Sequence, residues 1–124
     1  MSRLFACSLA LALLSAFVGD GAAAADAEAG KKVFNKCAAC HSIEPGKVKV
    51  GPSMWGIVGR KAGTQEGYSY SAAMKESGIT WDAATLKAYL AKPSSVVKGT
   101  KMAFVGISNP TEVDNLIAYL ETLK

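Results

Sequence analysis

A chain of 124 residues, with 14 Lys and Arg against 10 Asp and Glu for a formal charge of +4, has room for one domain and no second. Nothing beyond that modest positive charge supports nucleic-acid binding. Three cysteines and one histidine in the whole chain are too few, once the leader is set aside, to close a four-ligand zinc site.

The chain opens as a secretory leader. Arg3 supplies the positive start, residues 4–18 are an apolar run, Gly19-Asp20-Gly21 breaks it, and Ala22-Ala23-Ala24-Ala25 offers small residues for cleavage. The expectation is a signal peptide over 1–25, removed on export, and a domain over 26–124 in the periplasm. The apolar run is short for a membrane span, so no stable membrane insertion is expected after cleavage. Cys7 leaves with the leader, and Cys37 and Cys40 are then the two remaining cysteines.

In the mature part, Asp26 is placed to cap a first helix over 26–39, with Ala29, Val33, Phe34 and Cys37 near helical spacing. Gly30 inside that helix costs stability, and close approach by another helix would give it a reason. Residues 42–69 are punctuated by Gly and Pro without a sustained period, and read as a long wrapping loop. Residues 71–77 can make a turn or two before Gly78. A clearer helix spans 82–92, with Asp82 as cap, Leu86, Tyr89 and Leu90 on its apolar face, and Pro93 as its stop. Residues 94–108 read as irregular. The last helix has Asn109 as cap, Pro110 in its first position and Glu112 where a capping box is completed. Val113, Leu116, Ile117, Leu120 and Leu123 form its core-facing stripe.

The chemistry lies in Cys37-Ala38-Ala39-Cys40-His41. Two thiols three positions apart fall on one side of a helical turn, and C-x-x-C-H is the attachment pattern of c-type haem. Each thiol can form a thioether to one vinyl group, and the adjacent His can supply the proximal nitrogen to iron. A thioredoxin-like pair would need a βαβ setting, which is not present around Cys37. His41 is the single histidine, so it is the proximal ligand by elimination, and bis-His ligation is excluded. Water, Lys, Tyr or Met could take the sixth position. Of Met54, Met74 and Met102, the last lies in a Gly-punctuated loop free enough to reach the iron's other face. About a hundred residues make a small core, to which a buried porphyrin would add a large apolar body.

These residues, with Gly30-Lys31-Lys32-Val33-Phe34, Gly51-Pro52, Gly59-Arg60-Lys61-Ala62-Gly63, Gly67-Tyr68-Ser69-Tyr70, Ile79-Thr80-Trp81 and Thr100-Lys101-Met102-Ala103-Phe104, resemble a class I cytochrome c of the bacterial c2 and mitochondrial type. The resemblance covers residues 28–124. It implies an all-α fold of three main helices and a short one, with long loops around one covalently bound haem c. It implies Met102 as the distal ligand and the Pro52 carbonyl as the hydrogen-bond partner of His41. Arg60, Tyr70 and Trp81 match positions that hold the haem propionates. Tyr89 matches a tyrosine beside the ligating sulfur, Thr100 a hydroxyl near the inner propionate, and Phe104 a further pocket residue. Gly30 and Phe34 would cross Leu116 and Tyr119. Lys32, Lys36, Lys49 and Lys101 match the family's docking ring, with Lys98 an addition. Met74 stands where mitochondrial members carry a buried Asn, which alters the polar surroundings of the haem.

The function so implied is a one-electron carrier cycling Fe(II) and Fe(III), not an enzyme, acting as a monomer. Its expected partners are acidic redox proteins: a bc1-type complex or periplasmic dehydrogenase on one side, a terminal oxidase or reaction centre on the other. A labile Met102 would instead open the iron to peroxide or a small gas. The absence of a second His removes a usual acid-base group for peroxidase chemistry.

Overall fold

The computed structural model describes residues 24–124. The expected leader lies outside them, apart from Ala24 and Ala25. Among the described residues there are five α-helices: α1 (Ala27–Val33), α2 (Ala72–Glu76), α3 (Ala83–Ala91), α4 (Pro93–Val96) and α5 (Pro110–Glu121). The pairing of α1 with α5 is the most extensive contact between helices, and α3 packs beside α5. This is the expected all-α architecture of three main helices, with a second short helix added.

Local chemistry sets the helix ends. Asp26 accepts from the backbone N–H groups of Glu28 and Ala29, Ser71 from Met74, and Asp82 from Thr85. Each side chain satisfies donors that the first turn leaves without partners. Asn109 caps α5 through Thr111 and Glu112, with Pro110 in the first turn. The expected capping box is not completed. The Glu112 carboxylate reaches across to Lys36 Nζ at 2.9 Å, an ion pair that ties the start of α5 to the chain just before Cys37.

Two expected elements differ. The first helix ends at Val33 and tightens into a 3-10 turn over Phe34–Lys36 rather than continuing to Ala39. Val33, Phe34 and Asn35 are indifferent helix formers, and Phe34 is held edge-on against Tyr119, with ring centroids 5.7 Å apart. Residues 94–108 are not wholly irregular. Pro93 ends α3 and also starts α4 in the first-turn position that suits its fixed φ and missing N–H. Lys92 between them is forced out of helical geometry, as a residue before proline should be.

The core gathers Val33, Phe34, Leu86, Tyr89, Leu90, Val113, Leu116, Ile117 and Leu120, and Leu116 is 1% exposed. The long loop lacks helix but is far from unstructured. Residues 59–62 run antiparallel to 79–81, with Gly59 N–H donating to the Trp81 carbonyl at 2.8 Å and Trp81 N–H to the Arg60 carbonyl at 2.9 Å. This pairing seats Trp81 against Tyr89, with centroids 4.9 Å apart.

The α3 cap carries a pH dependence. Thr85 donates to the Asp82 carboxylate from its backbone at 2.8 Å and its hydroxyl at 2.7 Å, holding the carboxyl below its ordinary value. The stabilisation is therefore present above the unfolded aspartate range and lost as pH falls through the lowered value. An Asp82→Asn variant should show a flatter fall of its urea midpoint from neutral to acid pH than the parent chain. Parallel curves would contradict this role.

Candidate functional site

The helices and loops enclose one apolar pocket of about 280 Å³. Its floor comes from Phe34, Leu86, Leu90, Leu116 and Leu120, and its walls from Trp81, Tyr89, Met54 and Met74. Cys37, Cys40, His41, Pro52, Tyr70, Thr100, Met102 and Phe104, all expected from the sequence, line it as well.

The turn carrying the thiols is wound helically: His41 N–H donates to the Cys37 carbonyl at 2.9 Å, and Ala38 N–H to that of Phe34 at 3.0 Å. Both thiols are free, Cys37 half-buried and Cys40 exposed. Burial pushes the Cys37 thiol up, against a smaller opposing effect of the Lys36 charge. The Cys37 thiol is thus uncharged at neutral pH, and both thiols sit at the pocket wall.

His41 is fixed from two sides. Its Nδ1 lies 2.7 Å from the Pro52 carbonyl oxygen. A carbonyl can only accept, so the proton is on Nδ1 and the lone pair on Nε2. Gly51 backs the ring: a Cβ there would stand 2.4 Å from Cε1 and 2.8 Å from Nδ1 of His41. Burial lowers the imidazole's pKa, with the Pro52 bond working the other way. A neutral, oriented imidazole with a free Nε2 lone pair is the form a metal ligand requires.

Met102 enters from the opposite end of the sequence. Its N–H donates to Thr100 Oγ1 at 3.3 Å, and that hydroxyl lies 3.0 Å from Tyr89 Oη. Burial raises the Tyr89 phenol, so it stays protonated. Tyr89 thus ties the Met102 segment to α3.

Arg60 stands outside the cavity lining. Its Nη2 donates to the carbonyls of Ser53 (2.9 Å) and Trp55 (2.6 Å), and burial lowers its pKa while nearby Tyr70 opposes the shift. It braces the 53–60 loop and lies beside Tyr70. Of the docking lysines, Lys32 and Lys98 are exposed. Lys36 pairs with Glu112, Lys49 Nζ donates to the Ala38 carbonyl at 2.5 Å, and Lys101 Nζ donates to the Ser69 carbonyl. Gly51 as a backing for the imidazole and Tyr68 as part of the pocket lip were not assigned roles from sequence. Glycine followed by the proline that orients the histidine was the available signal for the first.

A family model described as cytochrome c matches residues 27–124. Cytochrome c2 of Rhodoblastus acidophilus is 55% identical over 102 residues, covering 82% of this chain and 95% of that protein. Cytochrome c-550 of Bradyrhizobium diazoefficiens is 57% identical over 95 residues, covering 76% and 70% respectively. The solved structure of cytochrome cH from Methylobacterium extorquens superposes with a TM-score of 0.75 at 55% identity, covering 78% of this chain and 98% of that one.

The chain belongs to the cytochrome c family. Within it the chain is of class I, the bacterial cytochrome c2 type. Members of this family are electron carriers rather than enzymes, and the cofactor is one covalently attached haem c with its iron. The pocket fits such a group. It is apolar, it brings two free thiols and a neutral imidazole to its wall, and the backbone behind the imidazole is glycine.

Proposed function

We propose that the protein is a periplasmic one-electron carrier whose haem is attached through Cys37 and Cys40 and ligated by His41 and Met102. The observation that carries this reading is the gathering, in one apolar pocket, of both thiols, the chain's one histidine and a methionine some sixty positions further along. The bound haem would supply a one-electron Fe(II)/Fe(III) couple, with a potential raised by thioether ligation and by exclusion of water.

The chain's residues supply the rest. Cys37 and Cys40 fix the group's position; Pro52 and Gly51 fix the imidazole so that only Nε2 can donate. Tyr89, through Thr100, holds the segment that presents the Met102 sulfur. Trp81 and Tyr70 are the hydrogen-bonding side chains in the pocket to which we assign the propionates, with Arg60 behind Tyr70. Phe104 and Leu86 keep the interior apolar, which disfavours the more charged oxidation state. A pocket held this firmly changes little between oxidation states, so little energy is spent on rearrangement during transfer.

For localisation, the leader over 1–25 supports export, and among the described residues no helix is long and apolar enough to cross a membrane. The partners are acidic redox proteins: a bc1-type complex or dehydrogenase as donor, an oxidase or reaction centre as acceptor. The chain acts as a monomer in these encounters. Lys32, Lys36, Lys49, Lys98 and Lys101 are assigned to steering, and the free ones carry most of it, because a lysine already bound to its own chain is less able to follow a partner.

The test is the second-order rate of electron exchange with an isolated bc1-type complex as ionic strength rises. The rate should fall steeply with salt, and Lys98→Glu should lower it several-fold at low salt while flattening its salt dependence. A rate indifferent to both salt and Lys98→Glu would overturn the acidic-partner assignment.

A further inference from the structure

Asp26 is held on three sides before α1 begins. Its carboxylate accepts from Glu28 N–H at 2.9 Å and from Ala29 N–H at 3.2 Å, and its carbonyl accepts from Gly30 N–H at 2.9 Å. Its own backbone N–H leaves α1 altogether and donates to Asn115 Oδ1 of α5 at 2.8 Å, across 89 positions of sequence. The bond lies beside the close crossing of the two helices, where a Cβ on Gly30 would stand 1.8 Å from the Asn115 carbonyl oxygen. Ala24 and Ala25, just before it, are exposed. Among the described residues, the hydrogen bonds of this end of the chain start at the Asp26 nitrogen.

That nitrogen is the atom that removal of a leader over 1–25 would change. Hydrolysis of the Ala25–Asp26 peptide sends the oxygen of water to the departing Ala25 carboxylate and both its hydrogens to the Asp26 nitrogen. An amide N–H becomes an ammonium, which stays charged below the ordinary α-amino value of about 8. The surroundings suit a cation. On α1 the Asp26 carboxylate caps the positive helix end and Glu28 lies in the first turn, while Lys31 and Lys32 lie in the last turn. On α5, Asp114 and Glu121 face the groove in which Ala24 and Ala25 lie. On α3, Asp82 caps the first turn, and Lys87 faces the same groove but is bound to Asp114 at 2.9 Å.

We propose that the amino group released before Asp26 is a structural contact of the mature protein: as an ammonium it donates to Asn115 Oδ1 and latches α1 to α5. The latch rests on the leader boundary proposed above and is independent of the haem ligation. A charged donor makes a stronger hydrogen bond than a neutral one, and the nitrogen is already positioned by the bonds that fix Asp26. The acceptor and the surplus of carboxylates raise the folded value of the amine above its unfolded one. Its contribution is therefore fully present below the ordinary α-amino range and is lost as pH rises through the raised value.

The experiment compares the exported holoprotein with a variant cut two residues earlier, in which Ala24-Ala25 remain and Asp26 keeps its amide N–H. The mass of each chain fixes its first residue. Unfolding constants are taken from urea titrations at about pH 6.5 and about pH 9.5, on either side of the α-amino range. The chain that begins at Asp26 should be the more stable at the lower pH, on the order of fivefold in the constant, and should lose that advantage at the higher pH. Titrations common to both chains cancel in the ratio. With Asn115→Ala in both chains the ratio should no longer change with pH. A ratio indifferent to pH in the parent pair would overturn the latch, as would a pH dependence that survives Asn115→Ala. The rate of acetylation of the α-amine against pH gives a second reading, and a titration at or below about 8 would also overturn it. A natural chain whose mass places its start elsewhere overturns the boundary at residue 25 together with the latch. The expected mass with a flat ratio overturns the latch alone.

Discussion

Met102→Ala should convert the closed site into an open one. The ferrous protein is then expected to bind carbon monoxide readily, and the ferric form to lose its sulfur-to-iron band. The potential should fall by on the order of 0.2 V, a fraction of the span of about 0.8 V that axial ligands govern. Met102 is half-buried at the pocket wall, and its N–H and the preceding hydroxyl are tied through Thr100 to Tyr89. The fold should therefore keep its shape when the thioether is removed, leaving the iron without a distal donor. His41 is the single histidine, so no second imidazole can take the place. Met54 and Met74 also line the pocket. An unaltered potential with no carbon monoxide binding would mean that one of them is the ligand. Redox titration and carbon monoxide difference spectra of the variant check the prediction.

The second large effect is on the fold. A Cβ on Gly30 would lie 1.8 Å from the Asn115 carbonyl oxygen, 2.5 Å from its carbon and 2.9 Å from Tyr119 Cβ. Two of these three atoms are backbone, so no rotamer change relieves the clash, and α1 and α5 must separate. Separation also strains the Asp26 N–H bond to Asn115 Oδ1 at 2.8 Å and the Phe34–Tyr119 edge contact. Alanine would regain roughly 1 kcal/mol of helix propensity. Overpacking of a close helix crossing costs about 3 kcal/mol or more, so the net result is destabilising by at least about 2 kcal/mol. The measurement is the urea midpoint of Gly30→Ala holoprotein. A midpoint equal to or above that of the parent would show that the crossing is looser than described.

The site was legible in the sequence to the extent that its chemistry is local. C-x-x-C-H placed both thiols and the imidazole, and the structure sets all three at one pocket. The flanking Gly99 and Gly106 favoured Met102 over Met54 and Met74 but did not decide between them, because its seating also depends on the Tyr89–Thr100 contact, which is not a local signal. The resemblance to the family singled it out. The helix caps at Asp26, Asp82 and Asn109 were legible because each acts within one turn. Glu112 was not, because Lys36, distant in sequence, competes with the cap for its carboxylate. The same limitation applies to Lys36, Lys49 and Lys101, which read as a ring of free charge. All three find acceptors that only the fold brings near. The helix begun by Pro93 shows a different failure: a proline that stops one helix is equally suited to open the next.

The measurement that bears most directly on the carrier reading is the optical spectrum of the exported protein, oxidised and reduced, with carbon monoxide then added to the reduced form. The expected result is a c-type spectrum that survives denaturation without loss of haem from the chain, and that carbon monoxide leaves unchanged. Ready carbon monoxide binding by the parent protein would contradict the closed His41 and Met102 site, and would move the assignment toward a chain that handles a small gas or peroxide at its iron.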